Sequence, residues 1–235
     1  MEPLYLKVKK RITKCLVRGD WNPGEVIPSE IDLAHLYDVS QGTARKAIDE
    51  LTDEGILIRR QGKGTFVASH NEETVQLRFL RLTSNLGVKE QLDNHLVSFS
   101  KEKANNLLAK ALQINTASTV ISIKRVLMFN KKPLILDLIK IPAVYFRGLT
   151  EEKVIEKKGS MYRMYETDYS IRMLHADEKI KAVTANLEVA SFLKVSENSP
   201  LLSVERISYT YDQKPIEWRF GLCLTSNHYY RAELY

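Results

Sequence analysis

Arg45, Lys46, Arg59, Arg60 and Lys63 lie close together in the chain, with Gly42, Gly55, Gly62 and Gly64 spaced among them. Cations on a glycine-punctuated frame suit the recognition of a polyanion. A guanidinium fits phosphate oxygens or the O6/N7 edge of guanine, a lysine ammonium supplies a point charge, and a glycine allows close approach. That chemistry requires an element that enters a groove and a second that reaches the backbone, so the surrounding residues must build both.

The span 27–67 has the local signals for this. Ser29 precedes an apolar series at Ile31, Leu33, Ala34 and Leu36, with Asp32 three positions on, which is an N-cap followed by an acid in the first turn. Ser40 repeats the device. Ala44, Ala47, Ile48 and Leu51 then form a buried stripe at i, i+3, i+4 and i+7, leaving Gly42, Arg45, Lys46 and Asp49 facing away until Gly55 stops the helix. Only Tyr37-Asp38-Val39 separates the two helices, so they meet in a tight turn. Ile56 to Arg60 reads as a basic strand, Gln61-Gly62-Lys63-Gly64 as its turn and Thr65-Phe66-Val67 as the return. The order predicts a winged helix-turn-helix whose second helix points its N-terminal residues at base edges, with Gly62 and Lys63 at the tip of the wing.

Bulk charge contributes little to that reading. The chain has 235 residues, enough for two domains, with a net charge of +6 and a pI near 9.1. Residues 1–70 hold 11 Lys and Arg against 10 Asp and Glu, so placement has to carry the argument. No apolar run approaches the ~18 residues of a membrane span, and the start of the chain lacks a secretory apolar region. The expected compartment is the cytoplasm, with Cys15 and Cys223 as reduced thiols. Five scattered histidines and no Cys-x-x-Cys spacing leave no metal site or cofactor to expect.

Beyond a polar linker at residues 69–75 the pattern changes to strands and intervening helices. Stretches 119–129 and 134–141 flank Asn130-Lys131-Lys132-Pro133, and 201–211 and 216–224 flank Asp212-Gln213-Lys214-Pro215, giving two hairpins. Helices are expected over 101–112, 160–169 and 184–193. The fold class is α+β, with an antiparallel sheet carrying helices on one face and a cleft on the other, and with no internal repeat.

Residues 3–68 resemble the DNA-binding domain of GntR-type bacterial transcription regulators. The resemblance rests on Pro3 to Tyr5, Trp21 to Gly24, Pro28 to Glu30, Leu33-Ala34, Val39-Ser40, Thr43 to Ala47 and Arg59 to Val67. It implies DNA contacts from Ser29, Gln41, Gly42, Thr43, Arg45, Lys46, Gln61, Gly62 and Lys63. Two positions depart from the family, which commonly has Arg where this chain has Ile31 and Gln41. Gln suits the N6/N7 edge of adenine, so the operator is expected to differ from the common family sequence.

The remaining half looks like a UTRA effector domain of the HutC branch, a fold similar to chorismate lyase. The matching pieces are residues 125–142, Gly159 to Tyr162, Asp177 to Ile180, Asn198 to Leu202, Lys214 to Glu217 and 230–234. The resemblance implies an effector site at Ser84, Arg125, Asp137, Ser160, Glu217 and His228, where Arg and a helix start would hold anionic oxygens and carboxylates would accept from hydroxyls. Leu127 and Leu224 stand where many sugar-phosphate-binding members have Arg. A smaller or less charged anion, such as a metabolite carboxylate, is therefore as well suited as a sugar phosphate.

These readings divide the chain into a DNA-binding domain at 1–68, the linker, and an effector-binding and dimerisation domain at 76–235. They imply a homodimeric repressor that binds a pseudo-palindromic double-stranded operator and is released by a small molecule. Two other classes remain: a DNA-binding protein whose second domain only dimerises, and a lyase-like enzyme, for which no catalytic residue set stands out.

Overall fold

The structure is a computed structural model that describes residues 2–68, 81–87, 92–156 and 161–232. The linker at 69–75 and Ser160 lie outside the described residues.

Three helices and a hairpin form the N-terminal unit: α1 (Leu4–Arg18), α2 (Glu30–Tyr37), α3 (Gln41–Asp53), β1 (Leu57–Arg60) and β2 (Gly64–Val67). The two serine caps are in place. Ser29 Oγ accepts from the Asp32 amide while Asp32 accepts from the Ser29 amide, and Ser40 Oγ accepts from the Thr43 amide. Asp38 takes the left-handed conformation (φ 53°) between α2 and α3, which makes the short turn possible. Gly55, at φ 67°, ends α3 as expected. Val8, Ile12, Leu33, Ala44, Ile48 and Leu51 pack together beneath these helices.

The second unit is a six-stranded antiparallel sheet in the order β4 (Leu92–Lys103), β5 (Thr119–Phe129), β6 (Lys132–Pro142), β9 (Lys214–Cys223), β8 (Pro200–Thr210), β7 (His175–Thr184). Both expected hairpins are present. A small arm, β3 (Leu82–Ser84) paired with β10 (His228–Tyr230), packs over one end of the sheet through Leu82 and Tyr230.

Three expectations need correction. First, 101–103 belong to edge strand β4, and α4 begins only at Asn106 (Asn106–Ala111), because Asn105 caps it by accepting from the Leu108 amide. Second, helices cover both faces. α5 (Glu151–Glu156) and α6 (Met161–Tyr169) pack on Ile121, Ile123 and Ile139, whereas α4 and α7 (Leu187–Leu193) pack on Val120, Val126, Leu136 and Leu201. Residues 121 and 120 point oppositely from one strand, so the two sets occupy opposite faces.

Third, the sheet is an internal repeat. β4-α4-β5-β6 and β7-α7-β8-β9 meet at the β6–β9 pair, which lies at the centre of the strand order. Asn105 and Asn186 cap the two helices alike, Gln113 and Lys194 both take positive φ behind them, and Ala117 and Asn198 do so before the next strand. The Ala117 amide donates to Ala104 O and the Asn198 amide to Ala185 O. The residue string carries the repeat over its helix and following strand, where Ala104, Asn105, Ala109, Leu112, Ser118, Ser122 and Arg125 recur 81 positions on as Ala185, Asn186, Ala190, Leu193, Ser199, Ser203 and Arg206. Arg125 and Arg206 are equivalent positions in it.

The two units share core. Leu174 and Tyr211 of the sheet unit pack into the cluster formed by α1, α2 and α3.

Candidate functional site

The reading head combines α3 with the hairpin. Gln41, Gly42 and Arg45 are exposed, and the first turn of α3 carries no acid, so its free amide groups and their partial positive charge face outward unopposed. Arg45 Nε donates to Glu30 Oε2 at 2.8 Å, and Arg59 bridges Glu30 (2.8 Å) and Asp49 (2.7 Å). Glu30 thus holds two guanidiniums side by side on the face expected to meet DNA. Lys46 is exposed, with its ammonium 4.3 Å from the centre of the Tyr5 ring. Thr43 is half-buried and its hydroxyl lies 2.8 Å from that of Ser40, while the exposed Ser29 is engaged in its cap with Asp32.

At the wing the Lys63 amide donates to Arg60 O at 2.9 Å, which closes the turn and leaves Gln61, Gly62 and Lys63 exposed. Gly62 has φ 70° and open space where a Cβ would sit, so the tip can approach another surface closely. Arg59 and Arg60 lie on the strand rather than at the tip, and Arg60 stacks over Phe66 at 4.6 Å.

Lys63→Ala is expected to weaken duplex binding irrespective of base sequence and to lower the dependence of log affinity on log salt by about one unit. A salt titration with an unchanged slope would remove Lys63 from the phosphate contacts. Glu30→Gln should act in the opposite sense. Freed of a carboxylate, Arg45 and Arg59 would bind non-cognate duplex more tightly, and equal or weaker non-cognate binding would show that Glu30 positions the two guanidiniums rather than restraining them.

The sheet unit holds a second constellation, buried between α6 and the β3–β10 arm. Arg125 donates to Asp137 Oδ2 from Nε (3.2 Å) and Nη2 (3.0 Å) across neighbouring strands, and both residues are nearly inaccessible. Arg219 lies 3.5 Å from Asp137 and donates to Glu217 at 3.0 and 3.2 Å. Fully buried Glu217 also accepts from the hydroxyls of Tyr162 and Tyr165, each at 2.8 Å, and Tyr162 Oη lies 3.3 Å from Ser208 Oγ. Arg206 reaches Tyr162 Oη at 3.5 Å and Glu178 at 2.6 Å, and Tyr230 of the arm donates to Glu178.

Among the most enclosed members guanidiniums and carboxylates match in number, Arg125, Arg206 and Arg219 against Asp137, Glu178 and Glu217, and the more exposed Arg81 lies 4.0 Å from Glu178 at the rim. Burial pulls the Arg125 pKa down against the pull of Asp137. Burial also opposes the charge on Arg219, but Glu217, Tyr162 and Asp137 outweigh it and hold that pKa well above its usual value. Burial, reinforced by Glu217, raises the pKa of Tyr165 well above normal, which keeps its hydroxyl a donor.

Of the six residues expected at this site, Arg125, Asp137 and Glu217 are brought together. Ser84 and His228 are cross-strand partners in the arm, with His228 against the Phe129 ring at 5.8 Å, four residues and roughly 13 Å along β5 from Arg125. Sequence reasoning missed Arg206, Arg219, Glu178, Tyr162, Tyr165 and Tyr230. Two signals were available: Arg219 lies two positions from Glu217 on one strand, hence on one face, and Arg206 repeats Arg125.

Among the described residues no group of His, Cys, Asp and Glu is arranged to hold a metal ion, and no helix is long and apolar enough to cross a membrane.

Comparison with known proteins matches each of the two units to a family. Residues 4–67 match the model for bacterial regulatory proteins of the gntR family, and residues 89–229 match the UTRA domain. The uncharacterized HTH-type transcriptional regulator YurK of Bacillus subtilis is 30% identical over 91% of this chain and 88% of its own length. The probable fructoselysine utilization operon transcriptional repressor of Escherichia coli K12 is 29% identical over 91% of this chain and 87% of its own. A crystal structure of the ligand-binding domain assigned to a GntR-family regulator from Bordetella bronchiseptica superposes with a TM-score of 0.65 at 37% identity, covering 67% of this chain and 98% of that one.

Proposed function

Since the chain belongs to the gntR family of bacterial regulatory proteins and carries a UTRA domain, we propose that it is a repressor, released from its operator by a small polar metabolite. That it is a ligand-responsive transcription regulator follows from the family, and relatives such as the fructoselysine and mannosyl-D-glycerate proteins of Escherichia coli are named as repressors. We take residues 1–68 as the DNA-binding domain, 69–75 as a linker, and 76–235 as the domain that binds effector and dimerises.

The observation that carries the effector reading is the buried network of three guanidiniums and three carboxylates. Burying so many charges is costly and weak evidence for stability, so their concentration on one sheet face supports reading it as the binding site. Its internal balance narrows the ligand class. A doubly charged phosphate would enter a site already neutralised, whereas a hydroxyl-rich molecule with one carboxylate can exchange hydrogen bonds with Arg125, Asp137, Arg219 and Glu217 at little change in net charge. Ser160 would add its hydroxyl and the start of α6, and Ser84 and His228 would close the site from the arm.

On DNA, a homodimer would place two α3 helices in successive major grooves, with Arg45 on guanine or phosphate and Gln41 on adenine. Gly42, Thr43 and Lys46 would line the same groove, while Ser29 and the wing residues Gln61, Gly62 and Lys63 track the backbone. The protein works in the cytoplasm and has no enzymatic turnover in this reading, which the regulator names of its relatives support.

Selection of duplexes from a random pool by the full-length protein tests the DNA half. Enrichment of a pseudo-palindrome with half-sites about one helical turn apart is expected. Failure to enrich any sequence would reject the regulator reading.

A further inference from the structure

Arg172 is a charged residue buried at the junction of the two units, on the segment between α6 and β7, and it belongs to neither site described above. Its side chain is 4% exposed. Nη1 donates to Ile56 O at 3.0 Å and Nη2 to Gly55 O at 3.1 Å. Those carbonyls are where the reading head turns from α3 into β1: the Gly55 amide donates to Thr52 O and the Ile56 amide to Leu51 O, closing the C-terminal end of α3. A planar fork that donates to two adjacent carbonyls at the negative end of a helix is well matched in charge and geometry, and a lysine there would supply only a single point.

The other side of Arg172 faces α6. Its Nε is 3.9 Å from Glu166 of α6. α6 also carries Tyr162 and Tyr165, whose hydroxyls both donate to Glu217. The segment leaving α6 is tied back by the Ile171 amide on Tyr165 O (2.9 Å), with Ser170 in the left-handed conformation (φ 53°) between them. Leu174, two residues beyond Arg172, packs into the core under α3.

We propose that Arg172 is the coupling residue of this regulator: α6 senses the state of Glu217, and the Arg172 fork transmits the position of α6 to the base of the recognition helix and wing. A ligand that takes hydrogen bonds of Glu217 from Tyr162 and Tyr165 shifts α6, and the fork draws Gly55 and Ile56 with it or lets them go. The two carbonyls are directional acceptors, so a small displacement of α6 exchanges one arrangement for another instead of being absorbed. This rests on the assignment of the buried network as the effector site.

Hydrogen exchange on the full-length protein, without DNA or ligand, tests the coupling. Tyr165→Phe removes one hydroxyl from Glu217 while keeping the ring, and Tyr162→Phe is an independent probe of the same acid. Arg172→Met keeps the bulk of the side chain and deletes the fork. Each single substitution is expected to speed exchange of amides in residues 54–58 about tenfold, and each Tyr→Phe should add nothing further once Arg172 is Met. Exchange in the double variants equal to the product of the single effects, or no change at 54–58 from either tyrosine substitution, would overturn the proposal. Loss of effector response on replacing Arg125 and Asp137 together is a separate measurement, so failure of the effector-site assignment and failure of the coupling are separate results.

Discussion

Arg125→Ala is expected to destabilise the sheet unit by about 3–5 kcal/mol, the usual cost of removing one member of a buried ion pair. Asp137 would be left nearly inaccessible, with only the more distant Arg219 opposite its Oδ2 among the described residues. Denaturant unfolding of the variant measures this, and a loss below about 1 kcal/mol would mean that Arg219 alone satisfies the acid. Replacing the pair together, Arg125→Met with Asp137→Leu, should return most of the stability because no orphaned charge remains. That double variant is the better functional probe: it should fold and bind operator but no longer respond to effector.

The second large effect lies on the DNA side. Arg45→Ala should weaken binding to the selected operator by about 1–3 kcal/mol, or roughly 5- to 150-fold, and relax the preference at one base position in each half-site. The side chain is 57% exposed and touches Glu30 at the protein surface, so its loss removes no core contact. Unchanged affinity in a gel-shift titration would place Arg45 outside the interface. A loss equal on cognate and random duplex would make it a phosphate contact only.

The reading head was almost wholly legible in the residues because its determinants are local. Ser29, Ser40 and Gly55 set the helix ends, and the Gly62 turn sets the hairpin, all within one short span. The sheet unit was legible only where a strand pair is joined by a turn. The end of β4 has a helix-like pattern because Lys101, Glu102 and Lys103 are exposed and charged, and their strand state comes from pairing with Ile121, Val120 and Thr119. The proposed effector site shows the same limit. Arg125 and Asp137 meet across one hairpin, but Arg219, Arg206, Glu178 and the tyrosines converge from elements far apart in sequence. The low count of cations inferred from Leu127 and Leu224 missed Arg206 and Arg219, which supply that charge from other strands.

The physical requirement on any effector is differential affinity. It shifts the equilibrium between DNA-competent and DNA-incompetent arrangements only as far as it binds one better than the other, so a roughly tenfold change in operator affinity needs about 1.4 kcal/mol of discrimination. In the proposed reading the buried network is the source of it. Glu217 accepts from α6 and from Arg219 at once, and a ligand that competed for those donors would act on the helix and on Arg219 together.

The most direct test is a single titration on the selected operator. Metabolites bearing hydroxyls and one carboxylate are screened for a thermal shift of the full-length protein, and the strongest is titrated into the operator complex while release is followed by fluorescence anisotropy. The account predicts release over the same concentration range that saturates the thermal shift, and no release with the Arg125→Met, Asp137→Leu variant. A metabolite that saturates the protein while the operator complex stays intact would contradict it.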